Sequence, residues 1–212
     1  MAARNFYTLD ERFNGAALGA AWAVADTSVA GAPTKEMHAD GYHMAFAADV
    51  EAENLCLYLG DVLSFDITKL REVEFQVKMD GTTKDTTTTL AIGVGSARND
   101  TTDSITYNAM LKIVNTSTTL GLVAETDDGT RDIDDVATGA VLSTSFKTLL
   151  ISFAKGLSDV RFFVDGQPVA EGQVFNMSAA TGGVQPFIQI QKTSDSNTDG
   201  VKIRRVICRG VV

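Results

Sequence analysis

The sequence predicts an all-β protein, an antiparallel sandwich of two packed sheets. Three observations lead there. Apolar residues recur with a period of two, as in Val73, Phe75, Val77 and Met79 set against Glu74, Gln76 and Lys78. Such alternation puts one face of a strand on a core and the other in water. Many further apolar runs of strand length are separated by segments of turn chemistry. Helical periodicity is nearly absent.

The elements follow in order. Residues 1–12 read as an N-terminal arm outside the domain, and residues 13–212 as a single domain. The chain holds three prolines among its 212 residues, too few for a Pro-rich linker, and sandwiches of this length are common as one unit. Tyr42, Met44 and Phe46 alternate with smaller or polar neighbours. Near-continuous runs at 55–59, 90–94, 110–114, 120–124, 149–153, 160–164, 187–191 and 201–207 each suit a strand. Residues 66–73 predict one short helical turn, and the Thr-rich 82–89 suits exposed strand ends. In "FFVDGQPVAEG" (162–172), Asp165-Gly166 supplies the two positive-φ positions of a two-residue hairpin turn. Pro168 has no N–H to donate, so its strand belongs at an edge. Lys202, Arg204, Arg205 and Arg209 make the last run basic. They predict a solvated edge, with pairing to the acidic loops or to an acidic partner as the alternatives.

Composition excludes several classes. Hydrophobic content of 44% and charged content of 21% are ordinary for a globular core. A net charge of −9 repels phosphate backbones, so nucleic acid is not an expected partner. Neither 1–13 nor the small-residue stretch 16–25 has the apolar length of a signal peptide or a bilayer span, so no Sec export and no membrane are expected. Cys56 and Cys208 lie in apolar runs and read as buried thiols. A disulfide between them would need their strands to be neighbours.

Catalytic signals are thin. His38 and His43 are the only histidines; two ligands fall short of a zinc site, and they read as structural or solvated. The spacing around Ser96 in "GVGSA" is wrong for a nucleophile elbow, and no phosphate-binding loop or dinucleotide fingerprint occurs. "ETDDGTRDIDD" (125–135) reads as a solvated hairpin turn rather than a cation loop. Asp195, Asn197, Asp199 and Gly200 match the first half of a calcium loop, but Val206 stands where its bidentate Glu belongs. That makes them a weak calcium candidate and otherwise a polar turn. No other metal site and no cofactor are expected.

The segment 162–210, from "FFVDG" through "QPFIQIQ" to "VKIRRVICRG", resembles the C-terminal half of concanavalin A-like lectin/glucanase domains, the laminin-G-like jelly rolls. The opening 10–26, with Phe13, Gly15, Leu18 and Trp22 in an F-x-G-x-x-L-x-x-x-W pattern, looks like their usual start. The middle, 57–79, looks like the form of this fold found in tailed-phage virion structural proteins. The resemblance implies a concanavalin A-like jelly roll. Its glucanase branch would carry catalytic carboxylates as E-x-D-x-x-E or E-x-D-x-E on one strand. Here Glu125 and Asp127 have no third acid, because Gly129 and Thr130 hold those positions. A groove armed with three converging carboxylates is therefore not expected, and no catalytic residue is assigned.

The function expected on this reading is a non-enzymatic capsid decoration or cement protein of a phage virion. It would dock on the major capsid protein and other virion subunits, and on itself as a homo-oligomer, with a trimer favoured. The alternative is a carbohydrate-binding, lectin-like module with glycans as ligands. A glycoside hydrolase is the third reading.

Overall fold

The computed structural model describes residues 6–211. It consists of two antiparallel sheets of eight strands each. Nine runs read from the sequence as strands, at 42–47 and in the eight near-continuous stretches, all fall within or overlap strands. In chain order the first sheet takes β1 (Phe6–Arg12), β3 (Thr34–His38), β4 (Gly41–Ala45), β7 (Leu70–Met79), β12 (Lys147–Ser152), β13 (Arg161–Val164), β14 (Gln167–Val169) and β16 (Gly200–Val211). Its spatial order is β14-β13-β12-β7-β16-β4-β3, with β1 also bonded to β16. The second sheet takes β2 (Ala23–Asp26), β5 (Glu53–Tyr58), β6 (Phe65–Asp66), β8 (Thr88–Gly95), β9 (Asn108–Ile113), β10 (Gly121–Asp127), β11 (Asp132–Val141) and β15 (Gly183–Lys192). It runs β11-β10-β9-β8-β15-β5-β2, with β6 on β15.

The core lies between the sheets. Val73, Phe75, Val77 and Met79 of β7 are buried in one cluster with Leu90, Ile92 and Val94 of β8. Period-two alternation therefore reports the true inner face of β7. Tyr42, Met44 and Phe46 join the same cluster. Phe13 and Trp22, from the opening pattern, stack edge to face at 5.3 Å between ring centroids. Asp165 (φ 50) and Gly166 (φ 77) make the expected tight turn, and Pro168 sits in β14 at the sheet's edge. Cys56 and Cys208 are free and buried, on different sheets, and burial raises both thiol pKa values. Among the described residues no helix is long and apolar enough to cross a membrane.

Three expectations are corrected. Of the arm expected at 1–12, residues 1–5 lie outside the described residues and 6–12 are a strand of the sheet: β1 pairs with β16 from Phe6 against Val211 to Arg12 against Arg205. Residues 66–73 form no helix; a turn at 67–69 leads from β6 into β7. The basic last run is no solvated edge, because β16 lies between β7 and β4. A register shift between Ile203 and Arg205 explains the doubled arginine that breaks its alternation. Its cations are engaged internally. Arg205 reaches Asp10 at 2.6 Å, Lys202 lies 3.5 Å from Asp40, Arg209 pairs with Glu72, and Arg204 covers the Phe146 ring.

Phe13→Ala opens a cavity beside Trp22 and Tyr42. Large-to-small changes at such aromatic sites cost about 3–5 kcal/mol, so the urea midpoint of the variant is expected to fall accordingly.

Candidate functional site

The outer face of the second sheet carries the site. Strand register sets its side chains in rows across the strands. One row runs Ala25, Cys56, Gln189, Ala91, Lys112, Val123. The next runs Tyr58, Phe187, Gly93, Met110, Glu125, and a third holds Asn54, Gln191 and Thr89. An outward face should be solvated, yet Cys56, Ala91, Met110 and Phe187 form a second buried cluster with Ile105.

The loop 96–107 causes this. It folds across the sheet and seats Ile105 on the apolar centre. Gly95 makes the seat: a Cβ there would stand 2.9 Å from the Ile105 side chain. Asp100 pins the loop. Its backbone carbonyl accepts from Gln189 Nε2 at 2.8 Å and Asn54 Nδ2 at 3.2 Å. Its carboxylate accepts from Thr27 Oγ1 at 2.8 Å and pairs with Arg98. The face keeps two shallow depressions that share Gln191, of about 220 and 200 Å³. Both are small beside the ~300–1,000 Å³ of enclosing ligand pockets. Amides, hydroxyls and carboxylates line them: Thr27, Asn54 and Asp100 in one, Thr89, Asp103 and Asp135 in the other. Asn54 Oδ1 is buried without a hydrogen-bond partner.

Lys112, at the rim of the second depression, gathers three carboxylates. Its Nζ lies 3.0 Å from Asp103 Oδ1 and 3.0 Å from Asp135 Oδ1, and it pairs with Glu125. Three carboxylates thus meet, but on an ammonium, and only Asp103 and Asp135 of them line the depression. Only Glu125 comes from the E-x-D pattern. Asp127 instead accepts from Gly129 N in the turn, and a bulge between Ala124 and Thr126 breaks the strand's alternation. Burial pushes the Glu125 carboxyl up to about 7, against the pull of Lys112. Burial, with Asp134 beside it, raises Asp132 to about 6. The charge of the three acids outweighs burial at Lys112 and raises its pKa, so it stays a cation.

The remaining predicted residues lie elsewhere. The run 125–135 is the hairpin from β10 to β11, but not a wholly solvated one. Asp128 is buried and accepts from the backbone N–H of Thr130, Arg131 and Ala179. Asp195, Asn197 and Asp199 bend toward 85–88 and are engaged by the protein's own donors. Asp199 Oδ2 accepts from Asp85 N at 2.8 Å and Thr88 Oγ1 at 2.6 Å; Asp195 Oδ1 accepts from Asn197 N at 3.0 Å. His38 and His43 come together on the outer face of the first sheet, with ring centroids 5.0 Å apart. Sequence reading missed Lys112, Asp103 and Gln191 because they sit on a strand, a loop and another strand with no shared local pattern.

Two eight-stranded antiparallel sheets packed in this way make a concanavalin A-like jelly roll. Solved structures agree along nearly the whole chain. The carbohydrate recognition domain of Emp47p is 14% identical with a TM-score of 0.65, covering 97% of this chain and 96% of its own. The Bacillus licheniformis β-glucanase is 10% identical with a TM-score of 0.64, at 95% and 97% coverage. A β-1,3-1,4-glucanase derived from a mouse hindgut metagenome is 9% identical with a TM-score of 0.66, at 97% and 99% coverage. No protein-family model matches the chain, and no curated protein matches it.

Glu125 gives the site a pH signature. Its folded pKa of about 7 stands above the ordinary 4.5. Between those values the folded chain holds a proton that the unfolded chain has released, so stability falls as pH rises through the window. Asp132 adds the same sign between 3.8 and about 6. Urea unfolding is expected to show a lower midpoint at about pH 8 than at about pH 5, and Glu125→Gln should flatten that difference.

Proposed function

We propose that this chain is a carbohydrate-binding jelly roll that holds a glycan on the outer face of its second sheet without cleaving it. The observation that carries this is Lys112 among its three acids, beside depressions lined by amides and hydroxyls. A pyranose offers hydroxyls that donate and accept at once. The Gln191 amide supplies a donor, and Asp103 and Asp135 supply acceptors. Polar groups placed in a shallow pocket are how such sites fix orientation. The fold neighbours include a carbohydrate recognition domain as well as glucanases, which supports a glycan as the ligand class.

Cleavage asks for more. Glycoside hydrolysis needs one protonated acid at the leaving oxygen and a second carboxylate at the sugar ring. Glu125 has the raised pKa of such an acid, but it is 1% exposed and held by Lys112. An ammonium between the carboxylates also neutralises the charge that would stabilise an oxocarbenium-like transition state. Isothermal titration with soluble β-glucan oligosaccharides is expected to show binding, with no new reducing ends on long incubation. Loss of a hydrogen-bonding side chain costs about 0.5–1.5 kcal/mol, so Gln191→Ala and Asp135→Ala should each weaken binding several-fold. Hydrolysis by the wild type that Glu125→Gln abolishes would replace this reading with the enzymatic one.

Docking in a phage virion, as a homo-oligomer with a trimer favoured, is the second reading. The likeness of 57–79 to virion jelly rolls supports it, as do Val62 and Leu63 in that same segment, 64% and 38% exposed. An exposed apolar pair is material for a subunit contact. Mass spectrometry of purified particles is expected to find the chain at high copy number; its absence from them would end this reading.

A further inference from the structure

The hairpin β3–β4 places three metal-ligand side chains on one face. Glu36 and His38 are two residues apart on β3 and so point the same way. His43 on β4 lies directly opposite Glu36, while the position opposite His38 is Gly41, which has no side chain. One ligand atom from each of Glu36, His38 and His43 lies within 4.8 Å of the others. His38 Nε2 and Glu36 Oε1 are already 3.0 Å apart. Ligands at 2.0–2.2 Å in a tetrahedral shell stand about 3.4 Å from one another, so small side-chain rotations close the set. Glu36 and His38 are 63% and 35% exposed, so their side of the triad faces solvent.

An exposed His-Glu contact alone would be an ordinary surface pair of little worth. Three observations separate this cluster from that. His43 Nε2 is taken by Asp80 Oδ2 at 2.6 Å. His43 Nδ1 is buried and has no hydrogen-bond partner. Gly200 lies where a Cβ would run into the Asp80 carboxylate and stand 3.0 Å from His43 Nε2. The missing side chain is what lets Asp80 reach the imidazole. A carboxylate on one ring nitrogen fixes the tautomer and leaves the lone pair of the other free, the arrangement found behind metal-bound histidines. The nearby ammoniums do not oppose a cation there: Lys78 and Lys202 are drawn to Asp40, at 2.8 and 3.5 Å.

We propose that Glu36, His38 and His43 bind a zinc-type dication, with Asp80 orienting His43 from behind and water completing the shell. Two imidazoles and one carboxylate suit Zn²⁺ or its Co²⁺ surrogate, and are poor ligands for the oxygen-preferring Ca²⁺. The site is on the opposite sheet from the glycan depressions and stands independently of that reading.

The test is titration of the untagged, chelator-stripped full chain with Co²⁺, followed by visible absorption, and with Zn²⁺, followed by the thermal midpoint. One equivalent of Co²⁺ is expected to give d–d bands that Zn²⁺ removes. No thiolate charge-transfer band should appear, since both cysteines are buried away from this face. Asp80→Asn should weaken the metal about 10–100-fold while the three ligands remain. His38→Ala, at a partly exposed position, should remove both the bands and the Zn²⁺-dependent rise in midpoint. Absence of Co²⁺ bands at millimolar metal, or bands unchanged in His38→Ala, would overturn the proposal.

Discussion

Val73, Phe75, Val77 and Met79 press from one sheet, and Leu90, Ile92 and Val94 from the other, into a single apolar layer. Burial of that layer is the dominant favourable term available to a chain with almost no helix. It fixes the register of every strand that contributes to it, because a slip of one residue would turn the apolar set outward. What faces out is then decided as well. On β7 and β16 the outward positions hold charges that pair across strands, and on β8 and β15 they are covered a second time by the loop 96–107. Central strands of the second sheet are therefore buried on both faces, and their polar residues must find partners inside the protein.

Lysine supplies many of those partners. Lys84, Lys112 and Lys192 are all buried. Lys84 Nζ donates to the carbonyls of Ser117 and Asp85 at 2.6 and 3.0 Å. Lys192 Nζ donates to those of Ala47 and Asp49, both at 2.8 Å, and of Asn197 at 3.3 Å. Lys112 collects carboxylates. Desolvating an ammonium costs several kcal/mol unless hydrogen bonds and opposite charge offset it, and each of the three has that compensation. Resident ammoniums thus stand where acidic and carbonyl-rich loops would otherwise favour a free cation. Asn197, from the calcium-like run 195–200, gives its carbonyl to Lys192 for this reason.

Much of this was legible in the sequence where the physics is local. The alternation of 73–79 named the inner face of β7, and Asp165-Gly166 named a turn. Short-range patterns failed where partners come from afar. β11 reads as an acidic loop because it is an outer strand with mostly exposed or half-exposed residues, "DIDDVATGAV". β1 reads as an arm because only the pairing with β16, about 200 residues later, makes it a strand. The site suffers most from this. Asp103, Lys112, Glu125 and Asp135 are drawn from a loop, two strands and a third strand, and no spacing rule links them. Nor could Glu36 be matched to His43 without the register that sets them side by side.

On the proposed reading, the Lys112 cluster separates binding from cleavage without any rearrangement of strands. A sheet's outer face presents side chains at a fixed spacing, so carboxylates a few ångströms apart are easy to place there. Whether they work as an acid and a nucleophile depends on what lies between them. Water or substrate between two carboxylates leaves one protonated and one ionised, each free to react. An ammonium between them holds both as charge partners, and roofing one of them under a loop removes it from reach. In this chain Glu125 is paired with Lys112 and buried out of reach. Asp103 and Asp135, by contrast, remain open to solvent at the rim of the depression.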